Sequence, residues 1–317
     1  ESKYDNKIVL SNNGLQGTGT INFLTATAIS SKLTFLPDST IGIAKFTNVG
    51  VEKGQEVPQV FSESAFITFI PKKQLLKAAS YNGTNLEMFE NQCQMNGSVV
   101  LSSKGMYGYG QLLFNDAGLY SGRYDFTYTD IDSDTSNFSL QNKFVTDGES
   151  PLAIESDGVK AHISFKDRKG EFNSFGAKRI KFPANIYYCT MDKFFWYMDG
   201  ASVDFEKKQS KETAFEAGAD LTDPNFFSMD DKQDSLRFRS LSAKYDLKTQ
   251  IIYCNKVEYV RVGDAKIFPD SMKIVIRKNA IIDPLKNAIV VANYITQFHK
   301  FYQVDLTITS RNKFEGV

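Results

Sequence analysis

The chain has 317 residues, of which 42% are hydrophobic and 13% aromatic. Lysine plus arginine equals aspartate plus glutamate at 37 each, so no overall charge excess draws it to nucleic acid or anionic lipid. That neutrality, with a high apolar content, excludes a disordered chain, and no apolar run approaches the length of a membrane-spanning helix.

The length suffices for one large β-domain or two ordinary ones, each with its own core. The 26 phenylalanines and 15 tyrosines favour pleated, half-buried surfaces. Glu1-Ser-Lys-Tyr lacks the character of a signal peptide, and both termini read as cuts in a longer protein.

Near the start, Val9-Leu-Ser-Asn-Asn-Gly-Leu-Gln-Gly-Thr-Gly-Thr-Ile-Asn-Phe aligns without gaps on the stretch from Val100 to Phe114. Gly14, Gly17 and Gly19 match Gly105, Gly108 and Gly110, an offset of 91, and the match continues through Ala26/Ala117, Ser30/Ser121 and Phe35/Phe126. Each copy reads as a strand, a glycine turn and two further strands. The glycines lack the strand–helix context and the Lys-Ser/Thr of a phosphate cradle, so they are turns and close-packing positions. Pro71-Lys-Lys-Gln-Leu-Leu-Lys-Ala-Ala-Ser predicts a helix with proline at its first position.

A boundary falls at Asp147-Gly-Glu-Ser-Pro151, giving a β-domain over 1–150 that holds the two copies and a second β-domain over 151–317. In the second, Glu206–Thr213 reads as an exposed loop and Glu212–Ala217 as a short helix. Ala243-Lys-Tyr-Asp and Ala280-Ile-Ile-Asp each lead into a turn, where Asp246 and Asp283 bond their own following amides. Further strands are predicted at Val257–Val262, Met272–Arg277 and Val304–Thr309. Turn signals every 8–12 residues or so predict an all-β fold of repeated strand–turn–strand units in stacked sheets of jelly-roll or solenoid type, with little helix.

Chemistry-bearing constellations are few. Asp130, Asp132 and Asp134 sit at alternate positions, a spacing that would converge hard oxygen ligands on calcium. Thr135 and Gln141 stand where a calcium loop wants glycine and glutamate, and the alternative is an acidic solvated turn. No other cofactor is expected. Tyr187, Trp196 and Tyr197 are candidates for a sugar-binding aromatic surface, with core packing as the alternative. His162 and His299 are the only histidines, too few and too isolated for a triad or a histidine zinc site. The carboxylates at Asp220, Asp223, Asp230 and Asp231 leave a glycosidase as the one enzyme class to weigh against a solvated loop. Cys93, Cys189 and Cys254 read as buried free thiols, although one disulfide is compatible with the count. Catalytic residues are not expected.

The segment Ala243-Lys-Tyr-Asp-Leu-Lys-Thr-Gln-Ile-Ile, with Val257-Glu-Tyr-Val and the copy from Ala280, resembles the repeat of the OstA-like (LptA-type) proteins of lipopolysaccharide transport. That resemblance implies an open β-jelly roll. Ile163-Ser-Phe-Lys-Asp-Arg-Lys-Gly-Glu-Phe, Met191-Asp-Lys-Phe-Phe-Trp-Tyr-Met-Asp and Ile267-Phe-Pro-Asp-Ser resemble stretches of very large Bacteroidota envelope proteins. Asp38-Ser-Thr, Asp234-Ser-Leu and Asp270-Ser-Met resemble that phylum's O-glycosylation acceptors. These resemblances imply a Gram-negative envelope location, in the periplasm or at the outer-membrane surface. They imply a non-enzymatic scaffold or binding module offering an extended β surface or groove to an envelope protein, lipid or glycan. The alternative is a carbohydrate-binding or adhesion module. Neither nucleic acid nor a transmembrane helix is expected.

Overall fold

Buried and exposed side chains alternate along the long strands Val60–Ile70 and Asp130–Gln141, a pattern that a pleated backbone with one packed face satisfies. The computed structural model describes residues 6–144, 150–174, 176, 178–208, 223–293 and 295–317. Strand accounts for 64% and helical turns for 4%, with no α-helix among the described residues, so the all-β expectation holds. The 27 strands among the described residues form one antiparallel sheet. The chain divides into two compact units, 1–137 with 160–169, and 138–159 with 170–317.

The first unit is an up-and-down meander. Ile8–Ser11, Gly14–Phe23, Ala26–Phe35, Thr40–Asn48 and Val60–Ile70 pair in chain order. Leu75–Ser80 and Leu86–Met88 are two parts of one interrupted strand, since both lie between Val60–Ile70 and Cys93–Ser102. Gly105–Phe114 and Ala117–Phe126 continue the series.

The 91-residue repeat has a structural counterpart. Gly14–Phe23 and Ala26–Phe35 recur as Gly105–Phe114 and Ala117–Phe126. Gly14 (φ 87°) and Gly105 (φ 123°) open the hairpins in backbone space that disfavours any Cβ. The matched serines share a task at β-bulges. Ser30 Oγ donates to the Ile43 carbonyl at 2.7 Å and accepts the Lys32 amide at 3.1 Å. Ser121 Oγ lies 2.7 Å from the Thr135 carbonyl and accepts the Arg123 amide at 3.1 Å. A bulge leaves ladder groups without their regular partners, and a short hydroxyl side chain reaches them.

The predicted helix at Pro71 does not form. Pro71–Lys73 makes a single 3₁₀ turn, Gln74 turns left-handed, and Leu75–Ser80 runs on as a strand that buries Leu76 and Ala78. Pairing on both sides and apolar burial outweigh the helix propensity of Leu-Leu-Lys-Ala-Ala, which spans only tenths of a kcal/mol per residue. The turn predicted for 130–137 is likewise strand, within Asp130–Gln141. The helix predicted at 212–217 and most of the loop at 206–213 lie outside the described residues.

In the second unit the sheet folds into two facing layers built from alternating hairpins. The first layer holds Ile180–Phe182, Tyr187–Cys189, Phe226–Ser228, Arg237–Phe238, Val260–Val262, Ala265–Phe268, Leu285–Ala292 and His299–Ser310, in that spatial order. The second holds Lys193–Tyr197, Ser202–Glu206, Ser242–Asp246, Ile251–Asn255 and Lys273–Ile276. Phe182 of the first layer meets Phe205 and Tyr245 of the second, each at 5.4 Å between ring centroids. Asn185 Nδ2, on a turn of the first layer, donates to the Gln250 carbonyl at 2.9 Å.

Where the chain changes layer, buried polar side chains replace the lost ladder bonds. Asn225 Nδ2 donates to the Ser240 carbonyl at 2.7 Å, and the Ser240 amide donates back to Asn225 Oδ1 at 2.8 Å. Ser240 Oγ in turn lies 2.8 Å from the Asn255 carbonyl. Of the predicted turns, Asp246 accepts the Lys248 and Thr249 amides at 2.9 Å as expected. Asp283 does not, because its carboxylate is taken up by Arg277, with Oδ2 2.9 Å from Nη2. The predicted strands are observed at Val260–Val262, Lys273–Ile276 and within His299–Ser310.

Candidate functional site

The feature that departs most from an ordinary buried core lies at the first and last strands. In the first unit, register places Leu10 opposite Leu15, Leu15 opposite Phe35, and Gly17 opposite Leu33, so Leu10 and Leu15 share the inward face with Leu33. Leu33 is 0% exposed, Leu15 37% and Leu10 79%. Ile8–Ser11 is exposed at all four positions and, among the described residues, pairs with Gly14–Phe23 alone. Its second backbone edge is a row of unladdered N–H and C=O groups.

The last strands of the second unit repeat this. Phe301 lies opposite Val290 on the inward face, yet it is 53% exposed where Val290 is 3%. Phe298 and Tyr302 are also exposed. Among the described residues, Lys313–Gly316 pairs only with His299–Ser310. Each end therefore offers an uncovered apolar row beside a free strand edge. The sequence signal was the unalternated run Ile8-Val-Leu, which puts apolar side chains on both faces of a strand.

The residues predicted to carry chemistry are not gathered into a site. Asp130, Asp132 and Asp134 lie along one strand, where alternate residues stand about 6.5–7 Å apart and cannot converge on one ion. Each has its own partner. Asp130 Oδ2 accepts from Thr127 Oγ1 at 3.3 Å, Asp132 lies 2.9 Å from His162 Nδ1, and Asp134 pairs with Lys160 at 2.8 Å. The Lys160 bond holds the Asp134 carboxyl below its usual range. Among the described residues no group of three or more histidine, cysteine, aspartate or glutamate side chains is placed to hold a metal. Asp220 lies outside the described residues, and Asp230 caps a 3₁₀ turn by accepting the Lys232 amide.

The aromatic candidates separate as strand alternation demands. Tyr187 is fully buried, its hydroxyl 2.7 Å from Gln233 Oε1 and its acidity weakened by desolvation. Trp196 is 2% exposed and packs 6.1 Å from Phe138. Only Tyr197 faces solvent, at 42%. His299 is exposed at the start of its strand. Of the acceptor-like triplets, Ser235 and Ser271 are exposed and Ser39 is half-buried.

All three cysteines are buried and free. Burial pushes the Cys189 thiol up to about 12, and Cys93 and Cys254 also rise. Thiol reagents at about pH 8.5 should leave the folded chain untouched and modify three cysteines once denaturant is added; rapid labelling of the native protein would contradict the burial. Because the folded value is raised, this contribution to stability is complete below about pH 8.5 and declines as pH climbs towards about 12.

No family model, curated protein or solved structure matches this chain. No helix among the described residues is long and apolar enough to cross a membrane.

Proposed function

We propose that the chain is a non-enzymatic scaffold of the Gram-negative cell envelope that joins further β-structure through its uncovered strand edges. The observation that carries this is the run of inward apolar side chains left open at the first and last strands, Leu10 and Leu15 in one unit and Phe301 in the other. An incoming strand would satisfy the free edge and cover that row in one step, as in strand addition. Covering Leu10 or Phe301 contributes roughly 1.5–3 kcal/mol each.

A lipid conduit is less well supported, because the space between the layers of the second unit is filled by Phe182, Phe205 and Tyr245. A second copy of the chain is the partner to test first, since one copy carries both kinds of edge. Sedimentation velocity at rising protein concentration should show growing assemblies for the native chain and monomers for Leu10→Asp. A native chain that stays monomeric throughout would overturn the reading.

A further inference from the structure

The outward face of the first layer in the second unit concentrates positive charge in a chain whose total is zero. Register builds it from residues scattered between 155 and 302. Lys181 lies opposite Tyr188, Tyr188 opposite Phe227, and Phe227 opposite Arg237. Phe238 pairs with Val260, so Arg237 and Arg261 are neighbours across the next strand boundary, and Arg261 lies opposite Lys266. Lys266 lies opposite Val291, and Val291 opposite Lys300. With strands about 4.8 Å apart, this is a ladder roughly 30–35 Å long.

A second row beside it adds Arg179 and Arg239, with Tyr259, Phe268 and Tyr302. The only carboxylates in the two rows are Glu155, 3.1 Å from Lys181, and Asp157, both on the strand at one border. The second layer is different. There Lys193 lies opposite Glu206, Asp204 opposite Lys244, and Lys193 also pairs with Glu171 at 3.0 Å. Ordinary mixed-charge surface covers one layer, and a segregated cationic face covers the other.

Most aromatic rings of this face are already occupied, Tyr302 being the exposed exception at its border. Tyr188 and Phe227 stack on each other at 4.8 Å and 10°, the Arg179 guanidinium sits 4.7 Å over Tyr188, and Lys266 Nζ sits 4.6 Å over Tyr259. Rings covered in this way hold cations in place rather than receive bases or sugars on their faces. Sequence-tolerant binding of single-stranded nucleic acid needs a succession of open ring faces, and insertion into a membrane needs a broad apolar face; here Tyr302 and Ile289 alone protrude, at one border. A long row of cations, interrupted by the buried Val291, suits a linear polymer with regularly spaced negative groups.

We propose that this face docks an acidic polysaccharide, one bearing carboxylate or phosphate groups along its length. The assignment rests on the envelope reading above, in which glycan is the polymer at hand; its central residues, Arg237 and Arg261, lie away from the strand edges, which the face reaches only at Lys300 and Tyr302. Polygalacturonate is a suitable probe, with dextran as the neutral control, oligo-dT as the nucleic-acid control and phosphatidylglycerol vesicles as the lipid control. Isothermal titration at physiological salt should show polygalacturonate binding, no dextran binding, and affinity that falls steeply as salt rises. Arg237→Glu combined with Arg261→Glu should weaken binding at least about tenfold. Lys244→Glu with Lys273→Glu, on the second layer, should leave it unchanged. An unaltered circular dichroism spectrum and melting temperature confirm that each variant is folded.

Equal weakening by the two double variants, or polygalacturonate binding no better than dextran, would overturn the docking face alone, because end-to-end association is read independently by sedimentation. Tighter binding of oligo-dT or of the vesicles would overturn the glycan assignment, and with oligo-dT the envelope reading as well.

Discussion

Trp196→Ala lowers the stability of the second unit by about 3–5 kcal/mol, whereas Tyr197→Ala, one residue on, changes it by no more than about 0.5 kcal/mol. Trp196 is buried in a cluster where Phe138 and Phe172 lie 4.2 Å apart and Phe172 and Phe194 4.5 Å apart. Removing the indole leaves a cavity that neighbours on a paired strand cannot close, while Tyr197 projects from the other face of Lys193–Tyr197. Urea unfolding followed by fluorescence of the phenylalanine- and tyrosine-rich core, or by circular dichroism for the tryptophan-free variant, reads both values. Similar small effects at the two positions would mean that the aromatic segment forms an exposed surface and not a core.

Asn225→Ala is expected to cost about 2–6 kcal/mol, far more than its small volume suggests. The side chain is 1% exposed and exchanges two hydrogen bonds with the Ser240 backbone at the change of layer. Alanine leaves a buried amide and a buried carbonyl unsatisfied at about 1–3 kcal/mol each, with no room shown for another donor. Asn225→Asp keeps the acceptor but loses the donor and adds a buried charge, so it should be no better. The midpoint of urea unfolding gives the loss. A change under about 0.5 kcal/mol would show that the layer change does not depend on this pair.

Much of the fold was legible because period-2 burial and turn chemistry are local. Gly14 and Gly105 marked hairpins that recur at one offset, and Asp246 marked a turn that its own carboxylate closes. The helix expected at Pro71 failed for a partly non-local reason, since Leu75–Ser80 closes a hairpin with Val60–Ile70 and is also held on its other side by Cys93–Ser102, which lies well along the chain. Asp283 misled because Arg277, six residues back, competes for the carboxylate that the turn would use.

The candidate surfaces were largely hidden. Neutral composition concealed the cationic face, because Arg179, Lys181, Arg237, Arg261, Lys266 and Lys300 are never adjacent in sequence as a cluster and meet only through cross-strand register. Tyr187 and Trp196 had the right chemistry for a ligand surface, but only the structure shows which side of each strand is covered.

The scaffold reading is tested most directly by mixing two end-blocked chains, Leu10→Asp and Phe301→Asp, and measuring mass by sedimentation equilibrium. Each variant alone retains one intact edge of one kind, and should remain monomeric. Together they should form a one-to-one dimer and nothing larger, because the intact first strand of one chain can meet the intact last strand of the other. A mixture that stays monomeric, or a single variant that dimerises by itself, would contradict the account.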